Sequence, residues 1–135
     1  MKDESAGWIH RPQYSPDGSR IAVRWNRILS LDRQMISVWV VSLRDATESM
    51  VLGEAATPVA WSADGNWIYV IKRSPAPALW RVRGDGHESE VVARLPFKDV
   101  SGYGHVTPEG TKIVCSVPET QSDVWLVDDF DLDER

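Results

Sequence analysis

The chain of 135 residues has little cysteine and no long apolar run. A single cysteine, Cys115, cannot form an internal disulfide, and its apolar neighbours predict a small buried side chain. No segment approaches the roughly 20 consecutive apolar residues that cross a bilayer. The opening residues MKDESAG lack the basic and apolar regions of a signal peptide. We therefore expect a soluble protein with no membrane partner, and the sequence does not indicate a compartment.

Positive charge is also scarce. Fifteen lysines and arginines stand against twenty acidic residues, which gives a formal net charge of −5 at pH 7. Binding to a phosphate backbone requires a basic patch, so no nucleic-acid partner is expected. The composition, with 42% hydrophobic and 26% charged residues, is typical of one globular domain with a sizeable core.

Recognisable catalytic and metal-binding motifs are missing from the sequence. It contains no nucleophile elbow, HExxH, P-loop, paired-cysteine zinc pattern or dinucleotide fingerprint. The three histidines, His10, His87 and His105, are widely spaced. We place His105 in an inner strand and His10 just before the equivalent strand, and interpret both as polar channel or loop residues. A thiol–base pair of Cys115 with His105 is the weaker interpretation.

The acidic ending DDFDLDE places Asp129, Asp131 and Asp133 at alternate positions, as at the start of a calcium loop. It lacks the glycine and the final glutamate that such a loop needs. We interpret it as a solvated acidic tail. The sequence therefore predicts no enzyme activity, no metal and no cofactor.

The chain contains seven tryptophans and a ten-residue segment, here called the phrase, that occurs three times in related form. The phrase reads YSPDGSRIAV from Tyr14, WSADGNWIYV from Trp61 and VTPEGTKIVC from Val106. A second phrase follows each copy in the same order: SVWVV, ALWRV and DVWLV. The turn glycines of the first phrase are Gly18, Gly65 and Gly110, and the tryptophans of the second are Trp39, Trp80 and Trp125.

Each repeat is predicted to form four antiparallel strands. The Pro-Asp-Gly type sequences are typical of tight turns, and runs of β-branched and aromatic residues, typical of strands, flank them. Apolar residues at adjacent strand positions indicate a sheet covered on both faces. A four-stranded unit of about 45 residues describes a β-propeller blade. We place the blades at about 8–53, 57–96 and 101–130 of a single segment 1–135, with the last blade incomplete. A β-sandwich of hairpins is the alternative, although it gives no reason for a fixed period.

These phrases resemble the repeats of TolB-like propellers, whose blade reads roughly W-S-P-D-G, an apolar strand, I-W-V and a D-G type turn. The second repeat matches best, and the third departs most, with Val106 for tryptophan and Glu109 for aspartate. The ending SDVWLVDDFD also resembles the C-terminal end of propeller modules attached to bacterial regulators and kinases. The positions that carry the repeat pattern are Tyr14, Asp17, Gly18, Trp39, Trp61, Asp64, Gly65, Trp80, Gly110 and Trp125.

Three blades cannot close a ring, because propellers carry about four to eight. An open arc exposes an apolar blade face at each end. Either the chain is a fragment of a larger propeller or several copies complete a ring. Two copies would give six blades, a common number in the family that it resembles. We expect a homo-oligomer, with a dimer as the preferred state.

An insertion in the first repeat is the main candidate for a partner contact. From Gly18 to Trp39 is 21 residues, whereas the corresponding distance in the other repeats is 15. We predict a loop at Asn26–Ile36, on the face that carries the blade-to-blade connections. The candidate contacts on this face are Arg27, Ile28, Leu29, Arg33 and Gln34, with Lys72 and Arg73 from the second repeat.

The predicted function is a non-catalytic propeller module that serves as a protein-interaction or sensing scaffold and associates with itself. Two alternatives stay open. One is an accessory or gating propeller of a hydrolase, since related propellers gate prolyl-oligopeptidase-type enzymes. The other is an isolated or engineered propeller fragment with no activity of its own.

Overall fold

The computed structural model describes residues 7–30, 33–96, 104–106, 112–117 and 123–127, with the side chains of 28–30, 33–34, 104, 115–117 and 123–127 outside the description. The described residues form strands and turns and include no helix, and thus no helix able to cross a membrane. All strand pairings are antiparallel and join neighbours in the chain. The predicted all-β class is confirmed.

The strands form three separate sheets. Sheet 1 contains β1 (Trp8–Tyr14), β2 (Arg20–Ser30), β3 (Arg33–Ser42) and β4 (Glu48–Leu52). Sheet 2 contains β5 (Thr57–Trp61), β6 (Trp67–Lys72), β7 (Ala78–Arg83) and β8 (Ser89–Arg94). Sheet 3 has three strands within the described residues: β9 (Gly104–Val106), β10 (Ile113–Val117) and β11 (Asp123–Val127).

The turn between the first two strands has the same construction in sheets 1 and 2. In sheet 1 the backbone N–H of Gly18 donates to the carbonyl of Ser15 at 2.9 Å, and Gly18 has a φ of +72°, which glycine adopts without strain. The Asp17 carboxylate accepts hydrogen bonds from the Ser19 backbone at 2.9 Å and from the Ser15 hydroxyl at 2.8 Å. Asp64 plays the same part in sheet 2, while Gly110 of the third repeat lies outside the described residues.

The sheets pack face to face, with sheet 2 in the middle. Its strands send alternate side chains to opposite neighbours, as the two-residue period of a strand requires. Ile68, Val70 and Val82 pack against sheet 1 in one apolar cluster. Tyr69 and Leu79 pack towards sheet 3 in a second cluster that includes Val106 and Ile113. The first strands of successive sheets, β1, β5 and β9, contact each other in turn.

The structure corrects two expectations in sheet 1. Most of the loop predicted at Asn26–Ile36 is strand: β2 extends to Ser30 and β3 begins at Arg33, with Asn26 paired to Ile36 and Arg27 to Met35. The β-branched residues in this stretch favour extended backbone, so the extra length lengthens both strands. His10 lies inside β1, not upstream of it, because its backbone pairs with Arg24 of β2.

Candidate interaction surface

One end of the sheets carries the outer part of the β2–β3 hairpin, the connection from sheet 1 to sheet 2 and a connection within sheet 2. We call it the connection face. It consists of the β2–β3 hairpin beyond Arg27, the β4–β5 connection (53–56) and the β6–β7 connection (73–77). The hairpin projects from this face, because β1 pairs with β2 only as far as Asn26 and β4 pairs with β3 only from Val38 onward. The strand pairs of residues 27–30 and 33–35 are therefore made only with each other among the described residues.

Arg27 lies at the base of this hairpin and is held by its own sheet. Its guanidinium contacts the Glu48 carboxylate at 2.8 Å. It also lies 4.7 Å from the ring centroids of both Trp25 and Trp39, which pack edge to face. A cation over an aromatic face is attracted by the ring quadrupole. The contacts of Arg27 therefore stabilise sheet 1. The side chains of the other contacts predicted in this hairpin, Ile28, Leu29, Arg33 and Gln34, lie outside the description.

Lys72 was expected in an exposed loop, but it ends strand β6 and is buried, with 7% of its surface exposed. Its ammonium group pairs with the Glu54 carboxylate and lies 3.8 Å from the Trp80 ring centroid. The aliphatic stem is covered while the charge reaches a carboxylate at the surface. Lys72 therefore joins the β4–β5 connection to sheet 2 and is not available as a partner contact.

A cavity of about 370 Å³ opens on the connection face between sheets 1 and 2. Two cationic side chains line it, Arg24 from β2 and Arg73 from the β6–β7 connection. Thr57 and Ser74 add hydroxyl groups, and Ala55, Ala56 and Ile71 complete the described lining. Within the part of the chain that the structure describes, no acidic side chain lines the cavity. The size falls at the lower end of small-ligand sites. The two arginines can bind an anionic group, although the net charge of the whole protein is −5.

Of the three predicted contacts whose side chains are described, Arg27, Lys72 and Arg73, the last lines this cavity, and sequence reasoning missed Arg24. A signal for Arg24 was present in the repeat pattern. Arg24 occupies the strand position that Ile71 holds in the second repeat, so a charge replaces an apolar residue where two sheets meet. Thr57 and Ser74 gave no comparable signal, since hydroxyl residues are ordinary in strands and connections.

The described residues contain no group of three histidine, cysteine, aspartate or glutamate side chains that could hold a metal ion. His105 lies in β9 and is exposed, and its backbone pairs with Val114 of β10. Cys115 pairs with Gly104, and its side chain lies outside the description, as does the whole acidic tail.

At the opposite end of the sheets, Arg20 joins sheet 1 to sheet 2. Its guanidinium lies 4.6 Å from the Trp61 ring centroid and donates a hydrogen bond to the Gly65 carbonyl at 2.7 Å. The Trp61 indole in turn donates to the carbonyl of Gln13 at 2.8 Å. The two turns of the repeated phrase are thereby held against each other.

The side of sheet 1 that faces away from sheet 2 exposes large apolar side chains. Tyr14 is 66% exposed, Ile9 52% and Met50 46%. Their strand partners on this side are Ile21, Trp25 and Trp39 respectively. The corresponding side of sheet 2 is the one buried against sheet 1, where Ile68 and Val70 are fully covered.

Comparison with solved structures decides the kind of fold. A putative TolB from Agrobacterium tumefaciens matches 90% of this chain with a TM-score of 0.71 and 23% sequence identity. The fold is that of a TolB-like β-propeller. The β-propeller domain of the Trilobed protease from Pyrococcus furiosus, which has an open velcro topology, matches 90% with a TM-score of 0.61 and 13% identity. An acylaminoacyl peptidase from Pyrococcus horikoshii matches 91% with a TM-score of 0.56 and 19% identity.

The chain spans 46%, 39% and 24% of the lengths of these three proteins, so it is a partial propeller. No family model matches its sequence, and no curated protein matches it significantly. The resemblance to TolB-like propellers that the repeated phrases predicted is confirmed at the level of the fold. The three sheets correspond to propeller blades, and the connection face lies at one end of them.

Proposed function

We propose that this partial propeller is a non-catalytic interaction module that binds a carboxylate-rich segment of a partner protein at the connection face. The observation that carries the proposal is the cavity between sheets 1 and 2, whose described lining residues include Arg24 and Arg73 and no acidic side chain. The nearby Glu54 carboxylate is paired with Lys72.

The chemistry of the lining favours a carboxylate. Guanidinium groups offer planar forks of donors that match a carboxylate in two-point hydrogen bonds. The hydroxyl groups of Thr57 and Ser74 can donate to the same anion. The projecting hairpin beside the cavity offers backbone along which an extended segment can pair.

The proposal extends to self-association that completes a ring of blades. It is supported by the partial length of the propeller and by the apolar side of sheet 1, with Tyr14, Ile9 and Met50 exposed. The peptidases among the structural neighbours make an accessory propeller of a hydrolase the alternative role, and the sequence offers no nucleophile motif for catalysis within this chain.

The peptide-binding proposal is tested with a fluorescent hexaglutamate peptide, followed by fluorescence anisotropy. We expect binding at low salt by the wild-type chain and an affinity lowered about tenfold by Arg24→Gln, since a hydrogen bond to a charged group contributes about 1.5 kcal/mol. Arg73→Gln should act in the same direction.

The matched control is Arg94→Gln, which removes the same charge from an exposed position on β8. A Gly-Ser peptide of equal length controls for adhesion to the hairpin. Equal affinity of the wild-type and Arg24→Gln chains for hexaglutamate would contradict the proposal, as would the absence of binding. Because the protein is acidic overall, long-range attraction cannot produce the expected result.

A further inference from the structure

The joint between sheets 1 and 2 pairs two fixed positions of the repeated phrase. Arg20 holds the seventh position of its phrase, and Trp61 holds the first position of the next. The seventh residue faces the following sheet and the first faces the preceding sheet. Arg20 accordingly lies over Trp61 and donates to the Gly65 carbonyl. We call these the donor position and the receiving position.

The next joint uses different residues at the same positions. The donor position of the second repeat is Trp67, and the receiving position of the third is Val106. Val106 is buried in the cluster between sheets 2 and 3. No cation stands at the donor position, and no aromatic ring stands at the receiving position. At each joint the two positions hold chemically compatible residues. The first joint combines a cation, Arg20, with an aromatic ring, Trp61, and the second combines an apolar residue, Trp67, with Val106.

The remaining donor and receiving positions are Lys112 in the third repeat and Tyr14 in the first. Alternation along the strands gives both side chains the correct direction. Ile113, the first residue of β10, packs towards sheet 2, so alternation extended by one residue would direct Lys112 to the opposite side of sheet 3. Ala22 packs towards sheet 2, so Ile21 and its strand partner Tyr14 face away from it. Tyr14 is 66% exposed, whereas Trp61 is partly covered by Arg20.

We infer that the first sheet of one copy packs on the third sheet of a second copy, with Lys112 of each copy over Tyr14 of the other. This inference rests on the self-association included in the proposed function, and it names the partner and the contact. The Lys112 ammonium group would also reach the Gly18 carbonyl, the counterpart of Gly65. A two-fold axis repeats the contact, covers the apolar side of both first sheets and closes six blades.

The residue at the donor position of the third repeat, Lys112, favours a second copy of the chain as the partner of sheet 1. If the blade that precedes sheet 1 resembled the second repeat, it would place an indole against Tyr14. The third repeat supplies a cation, as Arg20 does for Trp61. Lysine presents a single charged group on a flexible stem, which suits a phenol ring that is smaller than an indole.

The test is analytical ultracentrifugation of the full chain over a wide concentration range. We expect a species of twice the 15.2 kDa chain mass. Lys112→Met keeps the apolar stem and removes the charge, and it should raise the dimer dissociation constant about three- to tenfold, as should Tyr14→Ala. The double variant should show less than the product of the two effects, because both remove the same contact. Tyr14→Trp, which copies the Trp61 joint, should keep or tighten the dimer.

Two control variants change residues outside this contact. Arg94→Met removes a cation from exposed β8, and Leu43→Ala removes an exposed apolar side chain from the β3–β4 turn. Both should leave the dissociation constant unchanged. A dimer that tolerates Lys112→Met and Tyr14→Ala unchanged would overturn the contact while leaving self-association intact. A monomer of 15.2 kDa at all concentrations would overturn both, whereas hexaglutamate binding reports separately on the connection face.

Discussion

The aspartates of the repeated turns are the single residues from which a pH dependence of stability follows. The pKa of Asp17 is held well below its usual range, first by the hydrogen bond from the Ser19 backbone and then by those from the Ser19 and Ser15 hydroxyls. The pKa of Asp64 is lowered in the same way, with the Ser62 hydroxyl as the largest cause. Both turns therefore favour the ionised carboxylate, which accepts hydrogen bonds only.

A lowered pKa in the folded state predicts the direction of the pH dependence. The stabilisation is complete above the unfolded pKa of about 3.9 and is lost as the pH falls through the folded values. We expect the urea midpoint of the wild-type chain to fall between about pH 5 and pH 2. Asp64→Asn keeps an acceptor oxygen but cannot titrate, so its midpoint should fall less over the same interval.

The control for this pH series is Asp85→Asn, which removes a carboxylate from the β7–β8 turn, where Asp85 accepts a bond from the His87 backbone. Its pH profile should follow the wild type more closely than that of Asp64→Asn does. A profile of Asp64→Asn that coincides with the wild type would show that the turn carboxylate does not contribute to acid sensitivity.

Residue identity alone did not reveal how the lysines and arginines are used. Lys72 and Arg27 were predicted as partner contacts because binding residues favour loops on the face that carries the blade-to-blade connections. Each instead lies over a tryptophan from a neighbouring strand, and the pairing depends on strand register that the sequence does not display. Arg24 was not predicted as a contact, because it lies within a strand and the cavity that it lines forms only where two sheets meet.

At the scale of the element, the middle sheet shows why adjacent apolar residues were informative. The run Trp67–Lys72 alternates between two neighbours, so nearly every residue is covered on one side or the other. The sequence therefore predicted sheets covered on both faces. It could not predict the hairpin at Asn26–Ile36 in the same way, because extra residues between two strands can form either a loop or longer strands.

Removing one side chain from either side of the middle sheet should destabilise the chain. Leu79 and Val82 are fully buried, lie three residues apart on β7 and belong to the two different clusters. We expect Leu79→Ala to lower the free energy of unfolding by about 2–5 kcal/mol. Val82→Ala should lower it by a smaller amount, because fewer methyl groups are lost.

Both variants are measured by urea denaturation with tryptophan fluorescence and circular dichroism. Val91→Ala on β8 is the matched control, since Val91 is 38% exposed and its truncation should cost less than about 0.5 kcal/mol. Coincident transitions by the two probes would show that the sheets unfold together. A loss below 1 kcal/mol for Leu79→Ala would contradict the packing between sheets 2 and 3.

At the scale of the whole molecule, the period of the repeats was sufficient to predict three blade-like sheets and their order. Two phrases recurring at similar spacing specify strand, turn and strand three times, and the fold follows from stacking them. The cavity was not predictable, because it forms between a strand of one sheet and the connections of the next.

Self-association has a thermal consequence for the intact molecule. Because assembly stabilises the folded state by mass action, a hundredfold increase in protein concentration should raise Tm by about 3–6 °C. Scanning calorimetry measures this shift. The Lys112→Met, Tyr14→Ala double variant should show a smaller shift at the same concentrations. A wild-type Tm that is independent of concentration would contradict assembly.

The donor and receiving positions have a consequence for how such a gene can grow. Exchanging the second and third repeats would set Arg20 against Val106 and Trp67 against Tyr14, so their order is fixed by side chains although their backbones are alike. Tandem duplication of the second repeat alone would bring two indoles together, and duplication of the third would place a lysine against a valine. The whole block of three repeats can be copied with every joint preserved.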